Sequence, residues 1–294
     1  MMSNIFKSGF AVLIGRPNVG KSSLLNAFIG QKIVITSEKP QTTRNQVRGI
    51  TTGPNYQIIW IDTPGLHQPL HRLGKRMIRT AHEAFSGADL LLWVLDASQG
   101  LTGSDLEVAE TIKNIGELTV FIVWNKTDLK PAERLAEIPG FDTVYLVSAV
   151  TGKGLPELQA AVVAALPEGP QYYPAEMVTD HPELFCIAEF IREQVLNHTM
   201  EEIPHSVAVR IERMEERPNG LKFIEAVIYV ERESQKGIII GAKGTLLKKI
   251  GSAARKEIEE LLETPVFLNL WVKVSKKWRN NETALKEFGY GEEE

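Results

Sequence analysis

The chain has 294 residues, is 43% hydrophobic, and carries 33 Lys and Arg against 37 Asp and Glu, a net charge of −4. That length suggests two domains on a scale of roughly 150 residues each, and the apolar content excludes a disordered chain. The overall charge excludes a polycation that coats nucleic acid, although a local basic patch is still compatible with it. The single cysteine, Cys186, excludes an internal disulfide framework and fits a reducing compartment.

The opening MMSNIFKSGFAVLIG has too short an apolar run for a signal peptide. No uninterrupted apolar stretch reaches ~18 residues, so no membrane-spanning helix is expected and the protein reads as cytoplasmic. Strands are predicted at 10–14, 47–52, 56–61, 89–96, 119–125 and 143–148. Most are continuous apolar runs, the pattern of strands buried on both faces of a mostly parallel sheet. The pair at 47–52 and 56–61, joined by Gly53, Pro54 and Asn55, reads as an edge hairpin. Helices fit between the others, giving a doubly wound α/β domain.

The first polar motif follows strand 10–14 directly. It comprises Gly15, Arg16, Pro17, Asn18, Val19, Gly20, Lys21 and Ser22, with Ser23 next, and fits the pattern of a phosphate loop between a strand and a helix. Its glycines let backbone N–H groups point at a phosphate chain, and the following helix adds the positive end of its dipole. Lys21 supplies charge to the terminal phosphates, and Ser22 offers a hydroxyl to Mg²⁺. In QTTR (Gln41 to Arg44), Thr43 is the candidate that ligates Mg²⁺ only when a γ-phosphate is present. DTPG follows strand 56–61. Asp62 can hold the metal through water, Thr63 and Pro64 shape the turn, and the Gly65 N–H can reach the γ-phosphate. Lys21, Thr43 and Gly65 are therefore the catalytic candidates, and Ser22, Thr43 and Asp62 the metal set.

NKTD follows strand 119–125, at the end of the sheet where ligands bind. Asp128 can accept two hydrogen bonds from the N–H and amine of guanine, a donor pair that adenine lacks. A buried carboxylate left unpaired there discriminates strongly. Asn125 and Lys126 would tie the loop together, and Ser148 and Ala149, after the last strand, place a backbone N–H near the guanine oxygen. GTP or GDP with Mg²⁺ is the implied ligand.

Pro167 to Pro174 (PEGPQYYP) stops the α/β rhythm. The expected layout is a nucleotide domain over 1–170, a linker over 171–180 and a second domain over 181–294. The second domain reads as a helix at 181–197, strands at 206–215 and 221–231 around the turn RPNG, and a short helix opening at GAKG. A helix at 252–262, a strand at 265–274 and a tail helix at 282–288 complete the α-β-β-α-α-β order.

These five motifs resemble those of translation-factor-related GTPases, and QTTR with DTPGLH resembles the Era family in particular. The resemblance runs from about Lys7 to Gly289. It implies a P-loop GTPase domain followed by an α+β type II KH domain, and GTP hydrolysis. Leu66 stands after DTPG where many small GTPases use a glutamine to orient water. Leucine cannot bond a water, so slow intrinsic hydrolysis is expected.

Within GIIIGAKGTLLKKIG, Gly241 and Gly244 bracket Ala242 and Lys243, letting a nucleic-acid backbone approach closely. Ile239, Leu246 and Ile250 are the expected platform for bases. From Lys236 to Arg279 there are ten Lys or Arg against four Glu, a basic face that includes Lys248 and Lys249. In SKKWR, Lys276, Lys277 and Arg279 could grip a backbone while Trp278 either stacks on a base or caps the core. The resemblance implies single-stranded rRNA near the 3′ end of 16S rRNA as the partner, in assembly of the small (30S) ribosomal subunit, for a monomer.

Arg72, Lys75, Arg76 and Arg79 form a basic helix after DTPG. It reads as a solvated face or as a contact with RNA or anionic lipid, the latter being the weak peripheral contact with the inner face of the cell membrane that the family implies. Two rivals stand beside the main expectation. In one, nucleotide merely stabilises an RNA-binding module. In the other, the protein is a membrane-associated regulator and RNA binding is incidental.

Overall fold

The computed structural model describes residues 5–39, 41–65, 71–115, 118–129, 138–141 and 143–290. The chain divides into two compact units. The first comprises Met1–Thr36, Thr43–Pro69 and Lys75–Asp180, and the second Ser37–Thr42, Leu70–Gly74 and His181–Glu294.

In the first unit the elements run β1 (Lys7–Ile14), α1 (Lys21–Ile29), β2 (Val47–Gly53), β3 (Tyr56–Asp62), α2 (Arg72–Phe85), β4 (Leu90–Asp96), α3 (Gly103–Lys113), β5 (Thr119–Asn125), β6 (Val144–Leu146) and α4 (Leu155–Ala165). The sheet order is β2-β3-β1-β4-β5-β6. Every neighbouring pair is parallel except β2 with β3, the edge hairpin. All seven residues of β4 are buried, as a strand covered on both faces requires. Chain order reverses across β1, so the loop after Ile14 leaves the sheet at a switch point where ligands can enter. Parallel pairing also sets Asp62 beside Leu13 and Asp96 beside Asn125, which gathers the polar strand ends at one rim.

The expected linker 171–180 is not a free tether. Gln57, 0% exposed inside the sheet, accepts from the amides of Tyr172 and Tyr173 and donates to the Tyr173 carbonyl. Arg48 pairs with Asp180 at 2.8 Å. A buried amide on β3 must be satisfied, and the segment after Pro170 is what satisfies it. The first unit therefore runs on through Asp180.

The second unit contains α5 (Glu183–His198), α6 (Ile203–Ser206), β7 (Ala208–Glu216), β8 (Lys222–Val230), α7 (Glu233–Ile240), α8 (Thr245–Leu262), β9 (Val266–Val274) and α9 (Glu282–Glu287). The sheet order is β7-β8-β9, antiparallel then parallel. Ile224, Ala226 and Ile228 alternate along β8 and are fully buried, as are Ile239, Ile250, Ala254 and Ile258 from α7 and α8. Apart from the one-turn helix α6, which was not expected, the order is the α-β-β-α-α-β read from the sequence, but GAKG does not open the first of the paired helices. It links α7 to α8, because the apolar GIII run completes α7.

Candidate functional site

The phosphate loop ends at Gly20, in left-handed conformation (φ 96°) before α1. A side chain there would strike Asn125 Nδ2 at 2.3 Å, so only glycine lets the NKTD motif close over the loop. Asn125 Nδ2 donates to the Val19 carbonyl at 3.0 Å, and its Oδ1 accepts from the Ala149 amide at 3.0 Å. One buried side chain thus ties three motifs together. Lys126 Nζ donates to the Asn18 carbonyl and to Asp96 Oδ2, both at 2.7 Å. Burial pushes the Asp96 carboxyl up, but hydrogen bonds from Lys126 and Ser98 outweigh it and hold the pKa below its usual value. Ser148 Oγ donates to Asp128 Oδ1 at 2.6 Å. Asp128 itself is exposed, not buried as its role suggests. A base seated there would cover it.

At the phosphate end, Lys21 is 6% exposed and Nζ donates to the carbonyls of Gly15 and Arg16, each at 3.0 Å. Burial lowers its pKa to about 8, opposed by the Asp62 carboxylate and aided by Arg16. The ammonium therefore spans the mouth of the loop, where a phosphate oxygen could replace the carbonyls. Gly65 lies against the loop. A Cβ there would meet the nitrogen of Pro17 at 2.9 Å, so the DTPG turn is held at the phosphate loop by close packing. Thr63 Oγ1 donates to the Leu13 carbonyl at 2.8 Å, which fixes the turn to the end of β1. The Arg16 guanidinium does not face the cradle, since it bonds Gln99 at 2.8 Å and Asp105 at 3.3 Å.

The three candidate metal ligands converge. Asp62 is 0% exposed; its Oδ2 accepts from Ser22 at 2.6 Å and Thr43 at 3.2 Å, and its Oδ1 has no hydrogen-bond partner among the described residues. Burial raises the Asp62 pKa, against the pull of Lys21 and the two hydroxyls. A buried carboxylate oxygen without a partner asks for a cation. Ser22 Oγ and Thr43 Oγ1 are 2.9 Å apart, and adjacent ligands of an octahedron with ~2.0–2.1 Å bonds lie about 2.9 Å apart. Hard oxygens at that spacing fit Mg²⁺. No cluster of three or more His, Cys, Asp or Glu occurs among the described residues, so Mg²⁺ here would depend on hydroxyls, water and phosphate oxygens.

In the second unit, Gly241 and Gly244 bracket a single 3-10 turn. Ala242 and Lys243 are exposed, with Lys243 left-handed at φ 51°. Beside the turn, α8 and β9 border a cleft of about 570 Å³. Gly244, Lys248 and Arg255 line one wall, and Phe267, Leu268 and Leu270 the other.

A family model described as 50S ribosome-binding GTPase matches residues 10–126, and a KH domain model matches residues 202–279. GTPase Era of Thermotoga maritima is 48% identical over 96% of this chain and 97% of its own length. GTPase Era of Heliobacterium modesticaldum is 47% identical over 97% and 98%. The chain belongs to the Era family. Its fold matches that of an Aquifex aeolicus Era variant bound to GDP·AlF4⁻, with TM-score 0.93 and 37% identity over 98% of this chain and all of the other. It also matches an Era in complex with MgGDPNP and nucleotides 1506–1542 of 16S ribosomal RNA, with TM-score 0.92 and 38% identity over the same shares. As an Era GTPase the protein binds guanine nucleotide with Mg²⁺, hydrolyses GTP to GDP and phosphate, and carries a KH RNA-binding domain.

Three sequence expectations about the Era KH domain need correction. Trp278 cannot stack on RNA. It is 0% exposed, its indole N–H donates to the Ser206 carbonyl at 2.8 Å, and its ring packs on Phe288 and Tyr290. Ile239 and Ile250 are no platform, being fully buried. Arg279 is held in an ion pair with Glu231 at 2.5 Å. Lys248, Lys249, Lys276 and Lys277 are exposed. Cys186 is 3% exposed, and burial pushes its thiol up to about 11, the mark of a structural residue.

Sequence reasoning missed two groups in the Era site. Asp96, a carboxylate ending an apolar strand beside Asn125, anchors Lys126, and its position at the sheet's carboxyl rim was the available signal. Gln99 and Asp105 turn Arg16 aside, and no local pattern marks them. Leu66, the expected departure from a glutamine, lies outside the described residues.

Proposed function

We propose that this Era protein is a GTP-controlled RNA-binding switch in assembly of the small ribosomal subunit, acting on single-stranded 16S rRNA near its 3′ end. The observation that carries the switch is the meeting of Thr43 with Ser22 and Asp62. Thr43 sits in the connection between α1 and β2. With GTP bound, Thr43 and Ser22 ligate Mg²⁺ and Asp62 holds it through water, while Lys21 and the Gly65 amide meet the γ-phosphate. When the γ-phosphate leaves, Thr43 loses its reason to stay. Asn125, Lys126, Asp128, Ser148 and Ala149 hold the base. Hydrolysis is slow without a partner.

On the RNA side, Gly241, Ala242, Lys243 and Gly244 approach the backbone, and Lys248, Lys249, Lys276 and Lys277 supply charge. The relative solved with 16S nucleotides is 38% identical over 98% of this chain. It supports the small subunit more strongly than the large-subunit wording of the model that matches residues 10–126 alone. We place the protein in the cytoplasm as a monomer. The membrane reading is weaker, because Arg72 pairs with Glu282 at 3.2 Å and Arg79 with Glu83 at 2.7 Å, so these two cations already face carboxylates. No helix among the described residues is long and apolar enough to cross a membrane.

The test is crosslinking of the protein to cellular RNA with GTP and with GDP. The expected result is enrichment of the 16S 3′ region, stronger with GTP. Equal recovery in both states would remove the switch, and recovery of unrelated RNA would remove the target.

A further inference from the structure

The tryptophans of this chain are not equally placed. Trp60, Trp93, Trp124 and Trp278 are each at most 1% exposed, whereas Trp271 on β9 is 54% exposed. An indole is highly buried on average, and shielding its partner across the strands, Val227, needs only an apolar side chain. Phe267, four residues earlier on the same strand, is 50% exposed.

The strand register shows which face the two share. Ile224, Ala226 and Ile228 of β8 are 0% exposed, and their partners on β9 are Leu268, Leu270 and Val272. A Cβ added to Gly251 of α8 would lie 3.3 Å from Leu270, so this face packs on the helices. Side chains alternate along a strand. Phe267, Asn269, Trp271 and Lys273 therefore point to the other face, with Phe223 and Val227 of β8 beside them. At one end of that face, Phe223 and Phe267 stack at 5.8 Å and the Arg217 guanidinium covers Phe223 at 4.7 Å. At the other end, Phe288 covers Tyr229 at 4.6 Å. Trp271 lies between them, with no ring or cation packed on it among the described residues.

Two observations point to nucleic acid as the partner of the open indole. First, β9 is the edge strand of its sheet, and Phe267, which points to the open face, also lines the cleft between α8 and β9. Cleft and open face thus meet at the β9 edge. Second, residues 267–279 contain Lys273, Lys276, Lys277 and Arg279 and no Asp or Glu. Arg279 is tied to Glu231, and the three lysines are exposed. The carboxylates of this face stand on β7 and β8. Glu212 is held by Arg210 at 2.6 Å and the Tyr229 hydroxyl at 3.1 Å, Glu215 pairs with Arg213 at 2.6 Å, and Glu225 lies opposite Asn269. An exposed aromatic ring flanked by cations fits an unpaired base and its phosphates.

We propose that Trp271 is a base-stacking residue that extends the RNA surface of this Era protein round the β9 edge on to the open face of the KH sheet. A strand leaving the cleft passes Phe267 and lays one unpaired base on the indole, with Lys273 beside its phosphate. The inference deepens the reading of the second unit given above, in which the GAKG turn meets the RNA backbone, and rests on it.

The test uses the full-length protein and two RNA probes. The long probe is the fragment carried by the solved relative, 16S nucleotides 1506–1542. The short probe is the tightest binder among pieces of it about four nucleotides long, the span a KH turn clamps. Acrylamide quenching of tryptophan fluorescence reports mainly on Trp271, because the other four are buried. The long probe should remove most of that quenching and the short probe little. Trp271→Leu, which keeps an apolar cover over Val227, should melt close to the parent. It should bind the long probe about 5–50-fold more weakly, the range of base–aromatic stacking, and the short probe within about twofold. Trp271→Phe keeps a ring and should recover part of the loss.

Parent-like affinity of Trp271→Leu for the long probe, equal loss for both probes, no recovery in Trp271→Phe, or quenching unchanged by the long probe would each overturn the proposal. Protection of Trp271 by intact small subunits but not by the long probe would also overturn it and give the face to a protein. If Trp271→Leu fails to fold, quenching of the parent and the affinity of Trp271→Phe decide. Lys243→Glu should weaken both probes, and an unchanged short-probe affinity there would instead overturn the reading of the GAKG turn.

Discussion

At the nucleotide end of the first unit, Lys21, Asp62, Thr63, Asn125 and Ser148 are all at most 6% exposed. In the second unit, Lys243, Lys248, Lys249, Lys276 and Lys277 stand in solvent, and Lys248 lines the cleft between α8 and β9. One family thus binds two polyanions with two electrostatic designs. Buried groups are each committed to fixed partners, so a wrong ligand leaves donors and acceptors unsatisfied and loses sharply. Exposed lysines act as point charges, so their contributions are graded, interchangeable and screened by salt. The first design selects a guanine nucleotide. The second offers charge to a nucleic-acid backbone.

The largest expected break falls on the base end. Asp128→Asn replaces a double acceptor that receives Ser148 at 2.6 Å. Losing two charge-assisted hydrogen bonds should weaken GTP by about 10²–10⁴-fold, measured by calorimetry, with ATP affinity little changed. A loss below tenfold would mean that fixed hydrogen bonds at the base end discriminate no more sharply than the exposed lysines.

Trp278 sharpens the contrast from the other side, because it sits within the basic stretch yet behaves like a core residue. Trp278→Ala should cost about 3–5 kcal/mol of stability in the second unit, read by denaturant unfolding. RNA affinity per folded molecule should stay within about twofold. A stable variant with weakened RNA binding would return Trp278 to the RNA surface.

The lysines should give a smaller and salt-dependent effect. Lys248→Ala with Lys249→Ala removes two exposed charges beside the cleft. The slope of log affinity against log salt should fall by about 1.4, from ~0.7 per single-strand phosphate contact. An unchanged slope would place the RNA path elsewhere.

The smallest expected effect concerns pH. Burial raises the Cys186 thiol from 9.0 to about 11 in the folded chain. Between those values the unfolded chain has lost the proton and the folded chain has kept it, so this contribution to stability is full below pH 9 and is lost as pH rises toward 11. Alkylation at pH 8 should be slow in the native protein and fast in urea. The Cys186→Ala variant should lose less stability than the parent between pH 9 and 11.

What the sequence revealed follows the same division. Polar motifs at the ends of apolar strands were readable, because a parallel sheet places such ends on one rim, and the six strands and their edge hairpin follow from the same apolar runs. The turn GAKG was seen but set one helix too early, since the GIII run that ends α7 has no period of its own. Trp278 was ambiguous because an indole serves a core and a base stack equally well. The packing of 171–180 depends on one buried amide, Gln57, which alternation along β3 does not announce.

The most direct test is calorimetry of the full-length protein with GTP and with ATP in the presence of Mg²⁺. The account predicts GTP uptake at one site per chain, with ATP at least a hundredfold weaker. Preference for ATP, or no uptake of either nucleotide, would contradict it.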